Sequence, residues 1–139
     1  MATESAVHAS AKAKLKRWIV ELYPGATVRS EFPLAFRRSG MVEWFNEERF
    51  AKRTPGVREL RNKGMIVDYR LDLVAIMNKK ILVAFEVEKM APVCQSKRDF
   101  LSSMPFETVE IDAAWICLQR NRPESWADGV IDSYGGSIP

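Results

Sequence analysis

The sequence predicts an α/β protein with a mixed central sheet flanked by helices, and three observations predict it. Two nearly unbroken apolar runs, Asp72 to Met77 and Ile81 to Phe85, flank the short turn Asn78–Lys80 and read as neighbouring strands covered on both faces. An amphipathic helical pattern occupies the N-terminal region. A second helical stretch separates the strand ending at Glu88 from an apolar strand around Trp115, and a crossover of that length joins a parallel pair.

In chain order, Thr3 is placed to cap a helix that runs to about Tyr23, where Pro24-Gly25 stops it. Val7, Ala11, Leu15, Trp18 and Leu22 recur at three- and four-residue spacing and form its expected buried stripe. Lys12, Lys14, Lys16 and Arg17 give the helix a basic side. His8 and Lys12 stand one turn apart beside the stripe, either facing a substrate or lying on a solvated flank. Residues 26–37 alternate loosely through Thr27, Val28, Phe32, Leu34 and Phe36 and read as a strand interrupted by Pro33.

Residues 37–63 form a basic insertion between the first two strands. Arg37, Arg38, Arg49, Lys52, Arg53, Arg58, Arg61 and Lys63 outnumber Glu43, Glu47, Glu48 and Glu59 by four, more than the net charge of +3 on the whole chain. Trp44, Phe45 and Phe50 lie among these charges. The segment reads either as a grip on nucleic acid, with Trp44 as a stacking face and the eight bases as phosphate contacts, or as a partly packed excursion with Trp44 in a satellite core. The hairpin follows, then a helix opened by Pro92 and closed by Pro105. The fourth strand is expected over Val109–Leu118, and a short helical pattern through Trp126, Val130 and Ile131 ends the chain.

Composition bounds the function. A length of 139 residues suits one domain with a real core. No apolar run approaches a membrane span and no signal peptide is visible, so an intracellular, cytoplasmic protein with no membrane partner is expected. Cys94 and Cys117 form no C-x-x-C and read as reduced, interior thiols. A single histidine excludes multi-histidine metal sites and argues against a histidine-based triad, which leaves carboxylates and lysines as the chemical groups. The pI of about 9.0 suits a polyanionic partner.

The carboxylates concentrate in Val67–Lys89, VDYRLDLVAIMNKKILVAFEVEK. Asp72 opens the first apolar strand, and Glu86 and Glu88 close the second. Strand alternation puts Glu86 and Glu88 on one face, roughly 7 Å apart, with Val87 and Lys89 on the other. In a hairpin Asp72 comes beside Glu86, and like charges gathered at a sheet end call for a cation between them. Asp72 followed by Glu86-Val87-Glu88-Lys89 resembles the active-site hairpin of the PD-(D/E)XK nuclease superfamily, the restriction-endonuclease-like fold, whose αβββαβ core has the element order read here. Asp72 matches the first acid and Glu86 the second. Glu88 occupies the place of the family lysine, as in some restriction enzymes of that fold, and Lys89 follows one residue late.

The resemblance implies a divalent-metal-dependent endonuclease acting on nucleic acid, DNA foremost, with Mg²⁺ or Mn²⁺ as cofactor. Asp72, Glu86 and the Val87 carbonyl would hold the ion. Glu88 would bind a second ion or take a proton from the attacking water. Glu4 is a candidate for the additional acid that the first helix of such proteins carries, or else a first-turn Glu favoured by the helix dipole; Glu31 is a second candidate. Lys97, ahead of Lys89, is the candidate for the missing amine. Asp68 is an outer ligand or an ion-pair partner of Arg70. A homodimer is the assembly that cutting both strands of a duplex suggests. The alternative is the same fold used as a non-catalytic module that binds nucleic acid or a protein partner.

Overall fold

The structure, a computed structural model, describes residues 5–89 and 94–136. In chain order the elements are α1 (Ala6–Leu22), β1 (Thr27–Arg37), β2 (Gly40–Met41), two 3-10 turns (Trp44–Asn46 and Glu48–Phe50), α2 (Val57–Asn62), β3 (Ile66–Met77), β4 (Lys80–Glu88), α3 (Gln95–Ser102), β5 (Glu107–Asp112), α4 (Ala113–Leu118) and β6 (Val130–Gly135). The strands form one sheet in the order β2-β1-β3-β4-β5-β6. The β4–β5 pair is parallel and the others antiparallel, so the sheet is mixed, as expected from the crossover through α3. No helix among the described residues is long and apolar enough to cross a membrane.

Two apolar clusters lie on opposite faces of this sheet. Ala11, Leu15, Trp18 and Ile19 of α1 and Ile116 of α4 pack on Leu73, Ala75, Val83, Phe85 and Val87. On the other face Phe32, Leu34, Trp44, Phe50 and Leu60 gather with Val74, Ala84 and Leu101. Thr3 lies outside the described residues, and Ser5 caps α1 by accepting the His8 backbone N–H at 3.1 Å. Ile19 replaces the ends of the expected stripe, since Val7 and Leu22 are 40% and 43% exposed. Asn78 and Lys79 have φ of 54° and 65°, the left-handed pair that lets a two-residue turn match the twist of its strands.

Three expectations are corrected. Residues 113–118 are helix rather than strand: Asp112 accepts the Ala114 N–H at 3.1 Å as N-cap, and the Lys14 ammonium meets the carbonyls of Ile116, Cys117 and Gln119 at the far end. An unbroken apolar run cannot by itself separate a buried strand from a short helix. The tail is not helical at 130–131 but forms β6, because β5 has a free edge for it to cover. Cys94 is exposed and Cys117 half-buried, both as free thiols.

Trp44 is also corrected as a nucleic-acid stacking face. It is 1% exposed, its indole N–H donates to the Pro33 carbonyl at 2.9 Å, and its ring lies 4.6 Å from that of Phe32. The two 3-10 turns fold Trp44, Phe45 and Phe50 inward while the intervening charges stay outside, which is the arrangement that removes most apolar area from water. Replacement of Trp44 by Ala is expected to cost about 3–5 kcal/mol of folding stability, read from urea unfolding curves.

Candidate active site

The β3–β4 ladder ends at the pair Leu73↔Phe85. Beyond it β3 continues beside β1, and β4 continues beside β5 as far as Glu88↔Asp112. The strands thus open into a fork, and the next two residues, Asp72 and Glu86, face each other across it. Their carboxylates take over from the ladder: Glu86 Oε2 accepts the Asp72 N–H at 2.8 Å, and Asp72 Oδ2 accepts the Val87 N–H at 2.8 Å. Each acid is thereby fixed by the backbone of the opposite strand.

The acids are part of a longer row. Ser30↔Leu73 and Phe32↔Leu71 frame Glu31 opposite Asp72, while Glu86 pairs with Glu110 and Glu110 with Asp132. Five neighbouring strands therefore each contribute one carboxylate at the same level. Glu86 and Glu110 are 2% and 0% exposed, and burial of such charges demands compensating partners. Two helices supply most of them. From α1, Lys12 pairs with Glu31 and lies 3.8 Å from Asp72 Oδ1, and His8 Nε2 lies 3.7 Å from Asp72 Oδ2. From α3, Lys97 pairs with Glu86, and Arg98 binds Glu110 at 3.0 Å and also Asp132. Arg70 of β3 adds a contact of 3.7 Å to Glu31.

Lys97 also donates to the Arg70 carbonyl at 3.0 Å, so its ammonium spans the two arms of the fork. Glu88 is half-buried on the same face as Glu86, and Lys89 is exposed at the end of the strand. The Val87 carbonyl accepts a hydrogen bond from His8 Nε2; since a carbonyl only accepts, that nitrogen carries the proton. His8 and Lys12 therefore face the fork and are not solvated flank residues. Glu31 has φ of 50°, an uncommon conformation for a non-glycine residue and one that costs energy, in keeping with the constraints at a functional site.

Among the described residues no group of three or more His, Cys, Asp or Glu side chains is arranged to hold a metal ion. Glu4 lies outside the described residues. Asp72 Oδ1 and Glu86 Oε1, each the second oxygen of a backbone-anchored carboxylate, turn toward Lys12 and Lys97. Both are hard oxygen donors of the kind that a divalent ion of the Mg²⁺ type takes, and each is served here by an ammonium group from a different helix. The Val87 carbonyl, engaged by His8, is a weaker third donor.

The basic insertion is largely spent on the protein itself. Arg53 holds Glu59 through two hydrogen bonds of 2.8 and 2.9 Å, Arg49 pairs with Glu47, and Arg37 and Arg61 donate to the carbonyls of Lys63 and Val67. Lys63 lies over the Phe50 ring. Arg38, Lys52 and Arg58 are exposed. Among the described residues no ion pair or hydrogen bond joins these eight bases to Asp72, Glu86 or Glu88. Arg98 and Glu110 were not legible as site residues, because the register that aligns them with Glu86 is tertiary.

Burial pushes the Glu86 carboxyl up to about 7, the neighbouring Asp72 charge adds to the rise, and Lys97 opposes it. Glu88 is raised as well, first by burial and then by the charges of Asp72 and Glu110. A carboxyl raised in the folded state binds its proton more tightly there than in the unfolded chain, so its stabilising effect is complete below its ordinary value of 4.5 and is lost as pH rises through about 7. At about 1.4 kcal/mol per pKa unit, the Glu86 contribution is roughly 3 kcal/mol. Urea unfolding in the absence of divalent ions should show stability falling across this window, with a shallower fall in Glu86→Gln. Comparison with family models, with curated proteins and with solved structures finds no match for this chain.

Proposed function

We propose that this chain is a divalent-metal-dependent nuclease of the PD-(D/E)XK type, with a restriction-endonuclease-like arrangement of its sheet, that hydrolyses phosphodiester bonds in DNA. The observation that carries the reading is the fork: two acids from neighbouring strands lock onto each other's backbone while Lys97 reaches in from α3. The order α1, β1, β3, β4, α3, β5, with the basic segment between β1 and β3, supports it. Asp72 and Glu86 would hold Mg²⁺ or Mn²⁺. The ion, when bound, supplies activation of water and stabilisation of charge at the phosphate.

The remaining work falls to side chains. Lys97 occupies the role that a lysine at position 88 would otherwise have: it neutralises Glu86 at rest and is positioned to offset negative charge on the transferring phosphate. Glu88, raised first by burial and then by its acidic neighbours, is a stronger base than an exposed carboxylate and is the group proposed to accept a proton from the attacking water. His8, hydrogen-bonded to Val87 and close to Asp72, orients both.

The second reading, a non-catalytic module on the same scaffold, is favoured by a specific observation. Lysines already sit where an ion would stand, as they would in a site that has exchanged metal for internal ion pairs. Calorimetric titration with Mn²⁺ separates the readings: the nuclease binds the ion and loses that binding in Asp72→Asn, whereas the module shows no heat of binding.

In a plasmid-cleavage assay with Mg²⁺ or Mn²⁺, Asp72→Asn and Glu86→Gln should abolish cutting. Lys97→Met should slow it by about 10²–10³-fold, and Lys89→Met should leave it unchanged. Undiminished cleavage by both acid variants would remove the proposal.

A further inference from the structure

Basic side chains from the first helix, the first strand and the 37–63 segment meet beside α1. A groove of about 420 Å³ lies between α1 and residues 51–54, with Lys16 on one wall, Lys52 and Thr54 on the other, and Thr27, Arg29 and Ser30 of β1 as its floor. A hollow of about 280 Å³ adjoins it, sharing Thr27, Arg29 and Ala51 and adding Asn46 and Lys79. Neither is lined by a carboxylate, although acids are nearly as numerous as bases in the chain. Lys16, Arg29, Lys52 and Lys79 thus contribute to the lining of two adjoining depressions.

The groove is built rather than incidental. Arg29 donates to the Phe50 carbonyl, to the Ala51 carbonyl at 2.7 Å and to Thr54 Oγ1 at 3.3 Å. These bonds hold the 51–54 wall at a fixed distance from β1 and leave a guanidinium charge beneath the floor. β2 pairs only with Phe36 and Arg37, so among the described residues no strand pairs with the outer edge of β1 from Thr27 to Pro33. Backbone N–H groups along such an edge are donors of the kind that phosphates accept.

The groove also leads to the fork. Lys16 lies one turn, about 6 Å, beyond Lys12 on α1, and Ser30 directly precedes Glu31. Lys12 and Glu31 are paired at the α1 end of the carboxylate row. A chain of phosphates lying along the groove would therefore arrive beside Asp72.

We infer that this groove binds the sugar-phosphate backbone of a DNA strand on its way to the fork. The route to the fork rests on the nuclease reading; the binding itself does not. The cations are distributed over two adjoining hollows, with Lys16 and Lys52 in one, Lys79 in the other and Arg29 in both, which fits a chain of phosphates better than a single small anion. Lys52 is the member of the basic insertion that serves this groove, while Arg49 and Arg53 are ion-paired to Glu47 and Glu59.

The test is fluorescence anisotropy of a short fluorescein-labelled DNA oligonucleotide in EDTA, titrated with the full chain at several salt concentrations. Lys16→Ala and Lys52→Ala should each lower the salt dependence by about one unit of slope. Combined Lys16→Glu and Lys52→Glu should weaken binding at least about tenfold, whereas Arg58→Glu, half that charge change at an exposed position outside the groove, should not. Wild-type-like binding by the double variant, equal weakening by Arg58→Glu, or no binding by the wild type would each overturn the inference. Cleavage by the wild type with unaltered binding in the groove variants would sink the groove and leave the nuclease reading standing. Groove-dependent binding without cleavage in Mg²⁺ or Mn²⁺ would do the reverse.

Discussion

A row of carboxylates crosses this sheet from Glu31 to Asp132, and the need to neutralise it governs the arrangement around it. Two of its members, Glu86 and Glu110, are withdrawn from water almost completely. A buried carboxylate without a partner is among the most costly features a fold can contain. The partners come from opposite faces: His8 and Lys12 on α1, Lys97 and Arg98 on α3. Both helices are therefore positioned by charge as well as by their apolar stripes, and α1 in particular spans from Asp72 at one end to the α4 carbonyls that Lys14 binds.

The fork gives the row its chemical character. Where β3 and β4 part, the backbone N–H groups of Asp72 and Val87 lose strand partners, and the two carboxylates replace them. That exchange fixes one oxygen of each acid and leaves the other to face a cation. Adjacent residues of α3 then divide two tasks, since Arg98 ties the helix to β5 and β6 while Lys97 reaches the fork. The ammonium beside Glu86 thus comes from a helix that the crossover topology brings over the same strand ends.

Residues 37–63 show how charge and packing compete for one segment. Three large aromatic rings separated by charges read equally well as stacking faces or as core. Burial prevails because the 3-10 turns bring Trp44, Phe45 and Phe50 against Phe32 while the ionic groups remain at the surface. Once the segment is folded in, most of its arginines find carboxylates, carbonyls or a ring nearby, while Lys52 joins Lys16 and Arg29 in lining the groove beside α1.

The sequence by itself determined the helix at the N-terminus, the hairpin with its acids at the open end, the crossover helix and the parallel pair that it implies. These follow from local periodicity, turn residues and the placement of charged side chains at the ends of apolar runs. Proximity of Asp72 and Glu86 belongs to the same class, since a hairpin sets its own register. Only the tertiary structure decided that 113–118 coils and 130–135 extends, because the run Ala113–Leu118 carries no distinguishing period and β6 forms only against an edge that β5 offers. The alignment of Glu110 and Asp132 with Glu86, the inward turn of His8 and Lys12, and the seating of Trp44 depend on contacts between residues far apart in the chain. Their side chains are polar or amphipathic enough to suit water or a partner, and the partner is known only once the sheet has assembled.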